Sequence, residues 1–429
     1  MVDVWRKAIV HELCEITSSK RIHVADYQPE GIRFYRGKEI IERQKGNLEV
    51  STELFISENQ FREIKNKFGV PLPGDLLLTS VGTLGVPYVV KAGEEFYFKD
   101  GNLTWFRNFK NLDSVFLYYW LLSPQGKAEL KKCTIGSSQS AFTIVLLKDM
   151  TIELPPLPIQ RRIASILSAY DDLIENNTRR IKILEQMAQA IYREWFVEFR
   201  APGVKLRQAT PEEQKVTGKD QFPAGWEIRP IGEIVITLGG GTPSTKNPEY
   251  WEDGNITWFT PSDLTAAGSM FINEASKQIT QLGFDKSSAH LFPAYSVMMT
   301  SRATIGVTSI NTKEACTNQG FIVCIPNERL SAYQIYYWIA QNKEKIINIA
   351  SGATYKEINR GEFRELPIPV VDAATYTRFV ETVEPVAKLI ENLLNKNANL
   401  RQTRDLLLPR LVAGEIRIEP SADACGETD

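Results

Sequence analysis

The chain has few of the residues that build disulfide frameworks, metal sites and catalytic triads. Its 429 residues include five cysteines and three histidines. The cysteines are Cys14, Cys133, Cys316, Cys324 and Cys425. They form no CxxC pair, and no cluster of histidine and cysteine has the spacing of metal ligands. We therefore expect reduced thiols, no metal in this chain and no disulfide framework.

Long apolar runs and an excess of charge are also lacking. No stretch of 18 apolar residues occurs, and the amino terminus is too polar for a signal peptide. We therefore expect a cytoplasmic protein without membrane contact. The formal net charge is -2, from 50 basic and 52 acidic residues. A chain this close to neutral cannot bind polyanions through its overall charge alone. Any nucleic-acid surface therefore needs its basic groups gathered on one face.

What the chain does contain is an internal repeat with a period of about 217 residues, half of its length. The matching segments are 79–86 with 300–307, 119–121 with 337–339, 153–155 with 365–367, and 173–176 with 389–392. A period this long indicates that a whole domain and the segment after it are duplicated.

Each copy begins with a β-rich domain and ends with a long helix. Short apolar runs separated by Gly, Pro, Asn and Ser predict the strands, and helices are expected near 115–122 and 332–340. Prolines then close each domain and start the long helices. The predicted boundaries are 1–154 for the first domain, 155–200 for its helix, 201–222 for a linker, 223–368 for the second domain, 369–413 for its helix, and 414–429 for an acidic tail.

Both long helices carry apolar residues in alternating steps of four and three, which is the pattern of a coiled coil. The first seam is Ile163, Leu167, Tyr170, Ile174, Asn177, Ile181, Leu184, Ala188, Ile191 and Trp195. The second seam is Phe379, Val383, Val386, Ile390, Leu393, Asn397, Leu400, Arg404, Leu407 and Leu411. Packing of each helix on its own domain is the alternative, but equal lengths favour mutual packing.

An antiparallel pairing of these helices makes a specific register. Ile163 then faces Leu411, and Trp195 faces Phe379. Asn177 falls opposite Asn397, where two buried amides can satisfy each other and fix the register. The resulting fold class is α/β (α+β): two β-rich domains separated by two long antiparallel coiled-coil helices, with a pseudo-two-fold repeat.

Six short motifs occur in a fixed order along the chain. They are LPPLPIQ at 154–160, IENN at 174–177, WFVEF at 195–199, FPAGW at 222–226, GGGTPS at 239–244 and LLPRLVAGEI at 407–416. With these motifs the chain resembles the specificity subunit of Type I restriction-modification systems over essentially its whole length. The ordered set in a duplicated chain is far more specific than any one motif.

The resemblance implies a subunit without catalytic activity. Each of two target-recognition domains would read one half of a bipartite double-stranded DNA site. The helices would set the spacing and dock two modification subunits, which methylate adenine with S-adenosylmethionine. Two restriction subunits would supply translocation and cleavage with ATP and Mg, so no cofactor is expected in this chain.

An enzyme should contain recognisable catalytic motifs, and the candidate motifs in this chain match known ones only in part. Residues 247–250 (NPEY) only approach the turn of adenine methyltransferases, and 239–246 lacks the ending of a P-loop. Residues 63–65 (EIK) match a nuclease tripeptide without an identifiable partner aspartate. An autonomous methyltransferase or nuclease is therefore disfavoured. A protein-interaction scaffold with two binding heads and no DNA readout is the alternative function.

Candidate DNA contacts lie in polar loops, because DNA recognition needs donors to phosphates and base edges. Asn318 and Gln319 offer amides suited to adenine, with a structural turn as the alternative. For Arg302 the alternative is a surface salt bridge, and for the lysines it is simple solvation. The candidate DNA-binding residues are Thr79, Ser80, Thr83, Lys131, Lys132, Ser137, Gln139, Gly240, Thr242, Ser244, Lys246, Thr300, Ser301, Arg302, Asn318, Gln319, Thr354, Tyr355 and Lys356.

Overall fold

The computed structural model describes residues 5–46, 50, 52–136, 140–352 and 356–419. The chain divides into two compact units. Unit 1 comprises Met1–Asn176 with Asn397–Asp429, and unit 2 comprises Asn177–Lys396. Each unit therefore contains one β-rich domain together with a part of both long helices.

The elements of the first domain are short. In chain order they are β1 (Arg6–Ile9), α1 (Val10–Leu13), β2 (Glu15–Thr17), a 3-10 turn (Val24–Asp26), β3 (Ile32–Tyr35), α2 (Gly37–Gln44), β4 (Phe55–Ile56), α3 (Glu58–Phe68), β5 (Leu76–Thr79), β6 (Pro87–Val89), β7 (Tyr97–Phe98), β8 (Leu103–Arg107), α4 (Ser114–Leu122), α5 (Pro124–Lys132), β9 (Thr134–Ile135), β10 (Ala141–Phe142), α6 (Ile144–Lys148) and β11 (Thr151–Leu154). The first long helix, α7, follows at Leu157–Tyr192 and continues into a π-helical turn, Arg193–Val197.

The sheet at the centre of unit 1 has four antiparallel strands in the order β2-β8-β5-β6. A second sheet has the order β4-β3-β7, with β3 and β7 parallel. Strand β1 pairs with β11 and so joins the two ends of the domain. All four residues of β5 are buried, which explains the run of three leucines before Thr79.

The second domain repeats this arrangement. Its elements are β12 (Leu206–Gln208), α8 (Pro211–Thr217), β13 (Gln221–Pro223), β14 (Glu227–Pro230), α9 (Ile231–Ile234), β15 (Ile236–Leu238), a 3-10 turn (Pro248–Tyr250), β16 (Ile256–Phe259), α10 (Pro261–Ala267), β17 (Phe271–Ile272), β18 (Lys277–Ile279), α11 (Gln281–Asp285), β19 (Val297–Thr300), β20 (Thr308–Asn311), β21 (Cys316–Thr317), β22 (Phe321–Ile325), α12 (Ala332–Gln341), α13 (Lys343–Ile349), α14 (Arg360–Arg364), β23 (Pro367–Val370) and α15 (Ala373–Val412).

Strand order confirms the duplication. Unit 2 has the sheet β15-β22-β19-β20, which corresponds strand for strand to β2-β8-β5-β6, with β17 added at its edge. The sheet β18-β16-β21 corresponds to β4-β3-β7, and the pair β14-β23 to β1-β11. Helices α4 and α12 lie where the sequence predicts them. The predicted linker at 201–222 contains the hairpin of β12 and β13 with α8 between these strands.

The start of α7 is fixed by a buried glutamine. Gln160 is fully buried, and its Oε1 accepts from the backbone nitrogen of Asp113 at 2.8 Å. Its Nε2 donates to the carbonyls of Asn111 at 3.1 Å and Pro155 at 2.8 Å. The glutamine of the LPPLPIQ motif thus ties the helix start to the end of the domain, since each of these polar groups needs a partner inside the protein.

The apolar seams of the long helices are confirmed as packing faces within each unit. In unit 1 the first residues of α7, including Ile163 and Leu167, share a core with Leu411, near the end of α15. This arrangement is antiparallel. The predicted pairing of Asn177 with Asn397 stays a prediction; both are buried, and Asn397 Nδ2 donates to the Ile174 carbonyl at 3.3 Å.

In unit 2 the last turns of α7 pack against the first turns of α15. The Trp195 ring lies 5.8 Å from that of Phe379, as the register predicts. The π-helical turn changes the buried face here, because each such turn holds an extra residue. Tyr192 and Phe196 are therefore the buried aromatics, and Trp195 is only half-buried.

None of the helices in the described residues combines the length and the apolar composition of a membrane span. The cysteines among these residues, Cys14, Cys133, Cys316 and Cys324, are free and buried. Burial raises the pKa of Cys316 and Cys324 to about 12 and, with nearby carboxylates, that of Cys133 to about 11. These thiols are therefore protonated at neutral pH, as inert core residues are.

Candidate nucleic-acid interface

Strand register brings four polar loops of unit 1 to one edge of its main sheet. Thr17 at the end of β2 pairs with Trp105, and Thr79 at the end of β5 pairs with Leu103 at the start of β8. The loops after β2, after β5 and before β8 therefore meet. The backbone nitrogen of Ser80 donates to the Asn102 carbonyl at 2.8 Å, and that of Phe142 donates to the Ser80 carbonyl at 3.1 Å, which adds the fourth loop.

The same edge forms in unit 2. Leu238 at the end of β15 pairs with Val323, and Thr300 at the end of β19 pairs with Phe321 at the start of β22. The Ser301 nitrogen donates to the Gly320 carbonyl at 2.8 Å, and the Ile358 nitrogen donates to the Ser301 carbonyl at 3.1 Å. The reading edge of unit 1 comprises the loops after β2, after β5 and before β8, with the segment at Phe142. The reading edge of unit 2 comprises the loops after β15, after β19 and before β22, with the segment at Ile358.

The structure corrects the role expected for the repeated Thr-Ser pairs. Thr79, Ser80, Thr300 and Ser301 are buried and have no surface for a phosphate. Thr79 Oγ1 accepts from the Val86 nitrogen at 2.9 Å, and Thr300 Oγ1 from the Val307 nitrogen at 3.0 Å. These hydroxyls close the turn after the strand. The repeated pattern therefore records a shared turn at the end of two equivalent strands.

Gly82 and Thr83 are the exposed residues of the unit 1 turn, and Gly82 has a left-handed conformation. Ala141 forms a bridge with Val81 beside this turn. Ser137 and Gln139 lie outside the described residues. Lys131 and Lys132 end α5 just before β9 and are exposed; the Lys132 amine forms an ion pair with Glu129 on its own helix.

Arg302 lies at the tip of the equivalent turn in unit 2. Its Nε forms an ion pair with Glu357 Oε1 at 2.6 Å, and the two side chains are 50% and 39% exposed. The salt bridge that was the alternative for Arg302 is therefore present. Lys356, next to Glu357, is exposed and its carbonyl accepts from the Ala303 nitrogen. Thr354 and Tyr355 lie outside the described residues.

The glycine-rich loop after β15 meets the loop before β22. A Cβ on Gly240 would lie 2.0 Å from the Asn318 carbonyl oxygen, so a side chain has no room there. Thr242 Oγ1 donates to Gln319 Oε1 at 2.6 Å. Gln319 is exposed, whereas the Asn318 side chain accepts from the Gly320 nitrogen at 2.9 Å and so closes a turn.

The later part of the loop after β15 is open to solvent, whereas Gly241 and Pro243 are buried. Ser244 and Lys246 are exposed, and the Ser244 carbonyl accepts from Trp251 Nε1 at 3.1 Å. Gln319, Arg302, Ser244, Lys246 and Lys356 therefore remain as exposed polar candidates in the loops of this edge. They supply amide, guanidinium, hydroxyl and ammonium donors, which suit phosphates and base edges.

Two basic residues of unit 1 were missed by sequence reasoning. Lys20 and Arg21 lie in the loop after β2, which is equivalent to the glycine-rich loop after β15. Both basic side chains are exposed. Arg21 Nε forms an ion pair with Asp100 Oδ2 at 2.8 Å, which joins the loops after β2 and before β8. The internal repeat contained the signal, because it makes the segments that precede 79–86 and 300–307 equivalent.

The disfavoured motif at 247–250 has a structural role. Asn247 Oδ1 accepts from the Glu249 nitrogen at 3.2 Å and so caps the 3-10 turn at Pro248–Tyr250. Glu63 and Lys65 lie exposed on α3. Among the described residues, no group of three or more His, Cys, Asp or Glu side chains is placed to hold a metal ion.

Known proteins with similar sequences share this duplicated organisation or a part of it. The model of the Type I restriction modification DNA specificity domain matches residues 3–186 and 223–402. The MjaIX specificity subunit of Methanocaldococcus jannaschii is 32% identical over 201 residues, 46% of either chain, so the match spans about half of that relative. The HindI specificity subunit of Haemophilus influenzae is 26% identical over 358 residues, 70% of this chain and 77% of that one.

A solved structure shows the same fold at low identity. The S subunit of a Type-I restriction-modification system from M. genitalium superposes with a TM-score of 0.56 and 15% identity, over 96% of both chains. The two segments that the family model matches coincide with the two copies of the internal repeat. The chain therefore belongs to the family of Type I restriction modification DNA specificity domains.

Proposed function

We propose that this chain is the DNA-reading subunit of a Type I restriction-modification complex. Each reading edge contacts one half of a bipartite double-stranded DNA site. The observation that carries the proposal is the repetition of one edge in both units with different exposed side chains. Val81 in unit 1 occupies the place of Arg302 in unit 2, and Lys20 and Arg21 take the place of the glycine-rich loop. Two edges that share a fold but carry different hydrogen-bond donors can recognise two different half-sites.

The chemistry belongs to partner subunits in this proposal. Two modification subunits bind S-adenosylmethionine and methylate adenine, and two restriction subunits use ATP and Mg for translocation and cleavage. This chain is then non-catalytic. Its long helices offer exposed apolar side chains for docking, a feature that often marks a protein interface. These are Leu173 and Leu406 in unit 1, and Ile183, Met187 and Leu389 in unit 2.

The near-zero net charge supports weak DNA binding by the isolated chain. Arg21 and Arg302 each have a carboxylate partner, so part of the positive charge at either edge is neutralised. Partner subunits would supply further phosphate contacts. We expect the affinity for DNA to rise strongly when the modification subunits bind.

The test is to express the chain with its modification subunits in a host and to map methylated adenines across the genome. The expected result is one bipartite motif with a fixed spacer. Exchange of residues 1–154 for the first domain of a related subunit should change one half of the motif only. An unchanged motif after this exchange would contradict the proposal.

A salt titration of duplex binding by the reconstituted complex separates DNA reading from a protein scaffold. Release of counterions makes the logarithm of the affinity fall linearly with the logarithm of the salt concentration. A slope near zero would favour the scaffold.

A further inference from the structure

Where the long helices pack together in unit 1, a charged cluster occupies a place at which unit 2 has two alanines. In unit 1, Asp171 on α7 accepts a hydrogen bond from the Tyr119 hydroxyl at 2.6 Å and forms an ion pair with Arg404 on α15. Tyr119 is buried on α4, and the side chains of Asp171 and Arg404 are 30% and 26% exposed. We call these three residues the triad.

The repeat identifies the corresponding residues of unit 2. The match of 173–176 with 389–392 aligns Asp171 with Ala387, and the same offset aligns Ala188 with Arg404. Ala188 and Ala387 are both fully buried in the core of unit 2. The two positions that are charged in unit 1 are therefore buried and apolar in unit 2.

Tyr337 is the counterpart of Tyr119, and it bonds differently. Its hydroxyl donates to the backbone carbonyl of Glu185 at 3.4 Å and not to a carboxylate. The Glu185 carboxylate accepts from the backbone nitrogen of Met270 at 2.7 Å.

Unit 2 has further side-chain bonds from its domain to α15, from Tyr295 to Glu391 and from Asn273 to Asn395, but each of these reaches one helix only. In unit 1 the bonded side chains come from the domain and from both long helices.

The triad restricts geometry more than the alanine pair does. Tyr119 belongs to the recognition domain, Asp171 to the first helix and Arg404 to the second, so a shift of any one breaks a charge-assisted bond. A second ion pair, between Lys91 Nζ and Glu175 Oε2 at 3.0 Å, also ties the domain to α7. Buried alanines tolerate small sliding because their contacts have no direction.

We propose that the triad is a positioning device that fixes the orientation of the first recognition domain on the helices. By this means it limits the spacer lengths that the complex accepts between the two half-sites. The inference rests on the proposed DNA-reading function. Tyr119, Asp171 and Arg404 are positioning residues, since they act through the domain and touch no DNA base.

The test uses the full chain assembled with its modification subunits. Substrates carry both half-sites with the preferred spacer, or with a spacer one base pair shorter or longer, and initial rates of adenine methylation are measured on each. We expect the wild-type complex to reject the altered spacers. Asp171→Asn should reduce this discrimination by about tenfold while the base preference within each half-site is unchanged.

Two further variants make the comparison sharp. Asp172→Asn changes the neighbouring exposed carboxylate on the same helix and should leave the spacer preference as in the wild type. Tyr119→Phe removes only the hydroxyl of the triad and should give a smaller loss of discrimination than Asp171→Asn. Thermal unfolding of each variant complex shows whether it is folded.

Spacer discrimination separates positioning from stability. If Asp171→Asn and Tyr119→Phe lower the rate equally on all spacers, or leave the discrimination unchanged, the triad is only structural and the inference is overturned. If the wild-type complex methylates without regard to either half-site, the proposed function fails, and the inference with it.

Discussion

The Thr242 hydroxyl donates to Gln319 Oε1 over 2.6 Å and so joins two loops of the unit 2 reading edge. An amide oxygen has two lone pairs, and the Nε2 group carries two donors. Gln319 is exposed and held by Thr242 in one orientation, so its remaining groups can meet the N6 and N7 atoms of adenine. This pair is the best-defined candidate for base recognition on that edge.

Gln319→Ala should therefore relax base preference in one half-site. We expect methylation of the preferred site to fall by about tenfold to a hundredfold, which corresponds to about 1–3 kcal/mol for a bidentate base contact. Preference within the other half-site should be retained. Methylation rates on substrates with single base changes measure both effects.

Gln281→Ala provides the control for that variant. Gln281 is an exposed glutamine of the same unit, on α11, and its amide donates to Asp285. Its replacement should leave the specificity unchanged. Equal effects of the two substitutions would remove Gln319 from the readout.

The ion pair of Arg302 with Glu357 should tune affinity for phosphate. Arg302→Ala should weaken binding on all sequences and lower the salt slope by about 1, as expected for the loss of one phosphate contact. Glu357→Gln should strengthen binding, because it removes a negative charge and releases the guanidinium. Titrations of the complex on duplex DNA at several salt concentrations measure both.

Stability should hardly change in either of these variants. The pair is half-exposed, and exposed ion pairs contribute about 0–1 kcal/mol. If Glu357→Gln weakens DNA binding, the carboxylate orients Arg302 for its contact and does not compete with DNA.

The features that could be predicted from the sequence are those that depend on local patterns. The seam of α7 and α15 follows from regular spacing, so the contact of Trp195 with Phe379 could be placed in advance. The roles of Thr79 and Thr300 could not, because a threonine after a strand can face solvent or close a turn. Only the distance from its Oγ1 to the nitrogen seven residues later distinguishes the two.

Contacts between distant segments were the least predictable. Arg302 and Glu357 are 55 residues apart, with three strands and two helices between them, and Asp171 and Arg404 are 233 residues apart. Asp171 also lies beside the regular seam. The heptad pattern therefore predicts a contact for its neighbour Tyr170 and none for Asp171. Such pairs depend on the folded path of the chain, which composition and periodicity do not encode.

Gln160 should be essential for the junction of domain and helix. Gln160→Leu leaves the nitrogen of Asp113 and the carbonyls of Asn111 and Pro155 without their buried partner. We expect a loss of about 3 kcal/mol in the free energy of unfolding, since an unsatisfied buried polar group costs about 1–3 kcal/mol. Urea titration of the purified chain measures this loss.

The matched substitution is Gln125→Leu, at an exposed position of α5 in the same unit. It should change the free energy of unfolding by less than about 0.5 kcal/mol. Similar midpoints for the two variants would mean that backbone adjustment or water replaces the bonds of Gln160.

Two adjacent glycines of the unit 2 edge differ in the space that they leave for a side chain. A Cβ at Gly240 would lie 2.0 Å from the Asn318 oxygen and 2.3 Å from that of Thr317, whereas a Cβ at Gly239 meets nothing within 4 Å. Gly240→Ala must therefore separate the loop of Thr242 from the loop of Gln319. We expect the loss of specificity seen for Gln319→Ala, combined with a lower unfolding temperature. Gly239→Ala should retain both properties of the wild type, and loss of specificity in that variant would show that the loop needs backbone freedom and not close contact.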